Sequence, residues 1–351
     1  MAKFLVIRFS ALGDVAMTIP VIHSFAIQYP QHEIVMLSRP VWKPIFRMLP
    51  DNVSFLYADL KGKHKGIRGL NRLFCQLREM NFDYVVDLHD VLRSQYLCFR
   101  FKLLGISTGV LDKGRAEKKK LVRRRRKVFE NQKSSFYRYS DVFECLGFPF
   151  YLNFISIYEN LKGESLQLQP ITGEKGDTIW IGIAPFAKHK EKIYPLELQE
   201  QVVAHFSKDS RVKVFLFGGG EREKKILDKW VIKYPSIISV AGKIKMEGEL
   251  ALMSQLDVML SMDSANMHLA SLVNIPVISV WGATHPYAGF RGWNQTAENC
   301  IQTELDCRPC SVFGNRKCFR GDYACWSGIE PEIIIQRITT FINNNDIIKD
   351  D

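Results

Sequence analysis

Leu256–Pro286, LDVMLSMDSANMHLASLVNIPVISVWGATHP, carries a complete α/β unit. Val258 to Ser261 is an apolar run of strand length, and Asp263 and Ser264 are residue types that cap helices. Met267, Leu269, Ala270 and Val273 then recur at helical spacing until Asn274 and Pro276 stop the helix. Val277 to Trp281 reads as a second buried strand. A helix that starts at the carboxyl edge of a sheet presents unpaired backbone N–H groups and a positive dipole end, so an anionic ligand belongs there. His268 lies five residues after Asp263, within reach of a phosphate at the helix start. The alternative is that Asp263 only caps and His268 only packs.

Working outward, the same pattern repeats. Val212 to Phe217 is a buried strand followed by Gly218, Gly219 and Gly220 and a helix from Glu221. Three glycines there let a backbone approach a ligand closely, where a tight turn needs only one. Thr178 to Ala184 is another strand, running into PFAKHKEKIYP with Lys188, Lys190 and Lys192 exposed. Lysines at that edge suit phosphate, or else form a solvated basic loop. Glu249 to Gln255 is a helix leading into the opening stretch, and Glu330 to Phe341 is a C-terminal amphipathic helix. Between them, Cys307, Cys310, Cys318 and Cys325 form C-x2-C-x7-C-x6-C, whose first pair suits a structural zinc although the later gaps depart from the usual ribbon spacing.

The N-terminal half alternates in the same way. Phe4 to Ile7 is a strand, Arg8 to Gly13 a turn, and Asp14 opens a helix that Pro20 should kink. The turn lacks G-x-G-x-x-G spacing, yet it puts a carboxylate at a sheet edge, either as a functional group or as a helix-start residue. Glu33 to Leu37, Val53 to Tyr57 and Tyr84 to Leu88 read as strands, with helices at Trp42 to Met48 and Leu70 to Met80. Strand 84–88 ends in a polar cluster, Asp87, His89, Asp90 and Arg93, which could equally be a solvated loop and helix cap. Phe136 to Leu146 is a helix, Phe154 to Tyr158 a short strand, and residues 162–177 resemble a linker. Alternating strands and helices imply parallel sheets wrapped on both faces.

With 351 residues, 46% of them hydrophobic, the chain suits two ordinary domains. No apolar run approaches the roughly 20 residues that span a bilayer, and Arg8 and Asp14 break the N-terminal apolar stretch, so neither an export signal nor a membrane span is expected. The net charge of +11 is uneven: residues 1 to 175 hold 28 Lys and Arg against 16 Asp and Glu, the remainder 20 against 21. The first half should therefore meet an anion, whether nucleic acid, an acidic membrane surface or a phosphorylated substrate. Lys118 to Lys127, KKKLVRRRRK, has eight basic residues in ten and is expected to be a mobile loop, with Lys61, Lys63, Lys65, Arg68 and Arg72 as a looser basic group. No aromatic stacking pattern or nucleic-acid-binding motif accompanies the run, and anionic lipid fits it equally well.

Three stretches together resemble the glycosyltransferases of family 9, the ADP-heptose:lipopolysaccharide heptosyltransferases, over essentially the whole length: FLVIRFSALGDVAMTIPVI, VVDLHDVLRSQ and MDSANMHLASLVNIPVISVWGATHP. KIYP, GGGERE and the late CRPC with its further cysteines and IEPE agree with them. The resemblance implies a GT-B fold: two Rossmann-like, doubly wound α/β domains facing across a cleft, residues 1–165 binding the acceptor and 166–351 the nucleotide-sugar. It implies inverting transfer of a heptose from ADP-heptose to the inner core of lipopolysaccharide, at the cytoplasmic face of the inner membrane. By position, Asp14 matches the family's catalytic base, and Ser10 and Gly13 its loop beside the donor. Lys192 matches a lysine on the donor diphosphate, Asp263, Ser264 and His268 the phosphate and sugar site, and Glu221 or Glu223 a carboxylate near the ribose. Arg93, Lys61 and Lys63 are the cations expected to meet a phosphorylated core acceptor, and the anionic membrane surface is the expected partner rather than nucleic acid. Ala265 stands where the family has Gly, and Tyr139 where a His is frequent.

An inverting transfer needs a base for the acceptor hydroxyl and a held leaving diphosphate; Asp14 serves the first, the helix start with Lys192 and His268 the second. No D-x-D motif lies at a suitable place, so no obligatory metal is expected. The alternatives are a family 9 transferase using another nucleotide-sugar, and a basic α/β protein that binds nucleic acid without transferase activity.

Overall fold

The structure is a computed structural model and describes residues 1–158 and 168–349, with side chains as far as 343. The chain forms two compact units, Met1–Arg115 with Lys133–Ile157, and Ala116–Gln132 with Tyr158–Asp351.

The first unit runs β1 (Lys3–Ile7), α1 (Leu12–Ala16), α2 (Thr18–Gln28), β2 (Glu33–Ser38), β3 (Val53–Tyr57), α3 (Gly66–Arg78), β4 (Tyr84–Asp87), α4 (Leu92–Lys102) and β5 (Ser107–Val110). After the excursion into the second unit, which holds α5 (Arg115–Leu121) from its second residue on, it closes with α6 (Ser135–Glu144). Its strands are parallel in the order β3-β2-β1-β4-β5. Strand alternation explains why both faces are covered. Leu5 and Ile7 of β1 face the cluster completed by Leu73, Phe74, Leu97 and Phe101 of α3 and α4. Phe4 faces the other way, into Phe25 of α2 and Phe148. Each such fully buried side chain contributes about 1.5–3 kcal/mol relative to exposure.

Three expectations are corrected here. The helical pattern at 42–48 is a 3₁₀ stretch, Pro40–Phe46, because Pro44 inside it cannot supply the donor an α-helix needs. No strand forms at Phe154–Tyr158; the preceding segment instead uses its backbone on α2 side chains. Gln28 donates to Tyr151 O at 2.6 Å and accepts from Tyr151 N at 3.0 Å, and Ser24 Oγ accepts from Asn153 N at 2.8 Å. The break that Pro20 was expected to cause falls at Met17, between α1 and α2, next to the Ala16 carbonyl that Pro20 cannot bond.

The second unit, beginning with α5, continues with α7 (Gln169–Thr172), β6 (Ile179–Ala184), α8 (Leu196–Phe206), β7 (Val212–Leu216), α9 (Gly220–Lys233), β8 (Ile238–Ser239) and α10 (Met246–Met253). It ends with β9 (Val258–Met262), α11 (Ala265–Leu272), β10 (Val277–Trp281), β11 (Cys300–Gln302), α12 (Ala324–Ser327) and α13 (Pro331–Lys349). Strand order is β11-β10-β9-β6-β7-β8, all parallel. Ile181, Ile183, Val258, Leu260 and Ile278 pack on Val202, Leu227 and Ile334 from α8, α9 and α13. Of the linker expected over 162–177, residues 162–167 lie outside the described residues.

A single boundary at 165/166 does not describe this division, because Ala116–Gln132 belongs to the second unit. Nor is Lys118–Lys127 a free loop. Its first residues lie in α5, Lys118 sits 4.3 Å over the Phe290 ring, and Lys127 Nζ donates to Asp306 O and Arg308 O at 2.7 and 2.5 Å. Backbone carbonyls and aromatic faces accept the cations, which lowers the self-repulsion that would otherwise keep such a run in solvent. The charge division changes accordingly. The first unit holds 18 Lys and Arg against 11 Asp and Glu, +7, and the second 30 against 26, +4.

Candidate active-site residues

Each sheet has one point where the chain reverses its direction of winding: between β1 and β4 in the first unit, and between β6 and β9 in the second. In open α/β sheets the loops leaving the carboxyl ends of those strands form the ligand crevice. The candidate residues sit on those loops.

In the first unit, Arg8 leaves β1 and is buried to 5% exposure. Its Nε donates to Ser10 O at 2.9 Å, its Nη1 donates to Leu88 O beyond β4, and its Nη2 lies 2.9 Å from Asp14 Oδ2. The Asp14 carboxylate also accepts from the Ala11 N–H at 3.1 Å, so it closes the start of α1 as a helix-start residue does, while remaining partly exposed. Tyr139 O–H donates to Asp14 O at 3.4 Å and its ring lies 5.7 Å from the Arg8 guanidinium. Arg8 is held protonated: burial opposes its charge, but Tyr139, Asp14 and Asp87 raise its pKa above the ordinary arginine value.

The polar cluster after β4 is not a solvated loop. Asp87 is fully buried and accepts from the His89 and Asp90 N–H groups at 2.8 and 2.9 Å, which fixes the turn. Burial, outweighing those hydrogen bonds, raises the Asp87 pKa. His89 Nδ1 accepts from Phe9 N at 3.4 Å, which leaves the ring proton on Nε2, 3.5 Å from Ser10 Oγ. Burial, with Arg8 and Lys113 nearby, pushes the His89 pKa down to about 3, so the ring is neutral at ordinary pH. Gly13 lies within α1. Arg93 is exposed in the first turn of α4, and Lys61 and Lys63 are exposed in the turn before α3, which is held by Asp59 accepting from Gly62 and Lys63 N–H.

In the second unit, Asp263 and Lys192 meet. Lys192 Nζ lies 2.8 Å from Asp263 Oδ2, with side-chain exposures of 16% and 6%, and Thr284 Oγ1 donates to the same oxygen at 2.7 Å. Asp263 is thus no cap; Ser264 occupies the N-cap position of α11, and its hydroxyl lies 3.2 Å from Ser261 Oγ rather than on a helix N–H. The first N–H groups of α11 receive no side-chain cap bond from Ser264. His268 is buried within that helix.

At the β7 edge, Glu223 Oε2 accepts from Gly219 N at 2.7 Å, and burial raises its pKa. The structure therefore separates two carboxylates that sequence left interchangeable: Glu223 closes the glycine turn and Glu221 stays exposed. A side chain at Gly219 or Gly220 would meet open space. Lys188 and Lys190 line a cavity of about 880 Å³ with Phe186, Arg222, Glu223 and Trp326.

Sequence reading missed Arg8, Thr284 and Arg308. Arg308, 2% exposed, donates to Trp281 O at 2.8 Å and Thr284 O at 2.9 Å, and also to Gly282 O and Thr303 O. It shapes the loop after β10 that carries Thr284; its only signal was an arginine inside CRPC. Cys307, Cys310, Cys318 and Cys325 are free thiols, and among the described residues no group of three or more His, Cys, Asp or Glu is arranged to hold a metal ion.

The sequence profile of Glycosyltransferase family 9 (heptosyltransferase) matches residues 70–318, more than two thirds of the chain. The chain belongs to glycosyltransferase family 9. Among this transferase's relatives, the lipopolysaccharide core heptosyltransferase OpsX of Haemophilus influenzae is 24% identical over 80% of this chain and 79% of its own. Lipopolysaccharide heptosyltransferase 1 of Campylobacter coli is 26% identical over 81% and 85%. The fold is the family's GT-B fold: the structure of E. coli ADP-heptose lipopolysaccharide heptosyltransferase II superposes with a TM-score of 0.71 at 15% identity, covering 98% of this chain and 99% of that one.

Proposed function

We propose that this family 9 transferase moves a heptose from ADP-heptose to the inner core of lipopolysaccharide, with inversion at the anomeric carbon. The observation that carries the reading is the Lys192–Asp263–Thr284 cluster at the winding reversal of the second sheet, beside the uncapped start of α11. The donor diphosphate occupies that helix start. Lys192, anchored by Asp263, supplies a fixed positive charge, and His268 completes the site from within α11. These groups hold the charge that builds on the leaving diphosphate as the glycosidic bond breaks. Glu221 is the carboxylate available to the ribose. In the first unit Asp14 takes the proton of the acceptor hydroxyl, oriented by Arg8, with Ser10 and Gly13 shaping the loop.

The acceptor belongs to the first unit, whose Lys61, Lys63 and Arg93 offer charge to a phosphorylated core sugar. The same face holds this unit on the anionic cytoplasmic surface of the inner membrane: Ile67 of α3, Leu92 and Phe99 of α4 and Leu103 just after it are 72, 86, 58 and 67% exposed, amid Lys65, Arg68, Arg72 and Lys102. Among the described residues no helix is long and apolar enough to cross a membrane.

The test is an assay with purified enzyme, ADP-heptose and a heptose-less lipopolysaccharide core, read by mass spectrometry. A product one heptose heavier is expected, and ADP should raise the melting temperature more than UDP or GDP. Transfer from a UDP- or GDP-sugar in place of ADP-heptose would move the enzyme to another donor within the family.

A further inference from the structure

The docking of the polybasic segment creates a second cationic pocket in the same unit. Its volume is about 340 Å³, at the small end of ligand cavities, and its walls come from residues just after α5 and from the loop between β11 and α12. Arg123, Arg124, Arg316, Lys317 and Arg320 line it, against one carboxylate, Asp306. Two of the five cations are engaged: Arg320 pairs with Asp322 at 2.7 Å, and the Arg124 guanidinium lies 4.2 Å from the Phe319 ring. Among the described residues no carboxylate pairs with Arg123, Arg316 or Lys317.

Cations brought together from two distant segments repel one another. Elsewhere the two segments are joined without using these charges. Lys127 bonds the carbonyls of Asp306 and Arg308. The fold therefore holds uncompensated positive charge in a concavity sized for a small ligand. Forked guanidiniums match the oxygens of a tetrahedral dianion better than they match a carboxylate surface spread over a partner.

We infer that this pocket binds a soluble phosphomonoester, as distinct from a lipid headgroup. The site is separate from the Lys192–Asp263 cluster and stands apart from the transferase reading, since it uses none of the residues placed there.

The experiment is calorimetric titration of the full chain with inorganic phosphate and with glucose 6-phosphate, against sodium chloride at equal ionic strength. Saturable binding of both is expected. Arg316→Ser with Lys317→Ser should weaken both by about tenfold or more, as charge-assisted hydrogen bonds are lost. Arg125→Ser, which removes a charge from the same segment outside the pocket, should change neither. Both pocket positions are exposed, so circular dichroism should show the double variant folded; if it is not, Arg123→Ser takes its place with the same expected loss. The inference fails if binding is not saturable, if Arg125→Ser weakens it as much as the pocket variant, or if Lys192→Ala alone abolishes it. Binding of inorganic phosphate without glucose 6-phosphate also overturns it, as does capture only of phosphatidic acid vesicles, which would make the pocket a headgroup site.

Discussion

Arg8 Nη2 lies 2.9 Å from Asp14 Oδ2, and the same guanidinium donates to the carbonyl of Leu88, so one buried arginine ties the loop after β1 to the loop after β4. Asp14 is thereby held in place at the winding reversal of the first sheet, partly exposed beside its cation.

Asp14→Asn keeps the size and the Ala11 hydrogen bond but cannot accept a proton, so transfer should fall by a factor on the order of 10² to 10⁴. ADP affinity should hold within a factor of about two if, as proposed, the carboxylate acts on the acceptor rather than the donor. The variant also leaves Arg8 with a neutral partner, which should cost about 1–2 kcal/mol in urea unfolding. Near-normal turnover at a temperature where the variant is folded would reduce Asp14 to the anchor of Arg8.

Lys192→Ala should weaken ADP binding and slow transfer together, since in the proposed site its charge meets the diphosphate in ground and transition states alike. Gly314 offers an independent approach to the same group. It has φ of +68°, and a side-chain carbon there would overlap the Lys192 stem. Gly314→Ala should reproduce the loss of ADP affinity in direction while the lysine remains; unchanged affinity would show that Lys192 is not held by this contact.

Burial raises the Glu249 carboxyl in α10 to about 7. A raised folded-state value means that the folded chain keeps a proton which the unfolded chain loses near the ordinary glutamate pKa. Stability from this group is full below that ordinary value and is lost as pH rises toward 7. Glu249→Gln should raise the melting temperature at pH 8 and change it little at pH 4.5. Equal shifts at both pH values would place the effect in packing rather than ionisation.

Leu92→Ser with Phe99→Ser should reduce binding to vesicles containing anionic lipid by about tenfold, since two large exposed apolar side chains are removed from the proposed contact. Sedimentation with vesicles gives the measurement. Undiminished binding would leave charge alone as the attachment and count against the α3 and α4 face.

The α/β character, most strands, and the positions of Asp14, Lys192 and Asp263 on segments that follow strands were legible in the chain because they follow from local rules. Apolar runs of strand length, helical spacing and residues that start helices depend on neighbours within a few positions. The repeated motifs added family identity. What needed the tertiary structure were relations between distant segments. Asp263 looked like a cap, yet two side chains far away in sequence take its oxygen, and a charge pair of this kind leaves no local pattern. Arg8 and Arg308 looked like ordinary charges until burial made their hydrogen bonds obligatory. The polybasic run is the clearest case: composition alone argues for solvent, and only carbonyls and rings presented by residues 290–319 could hold it on the second unit.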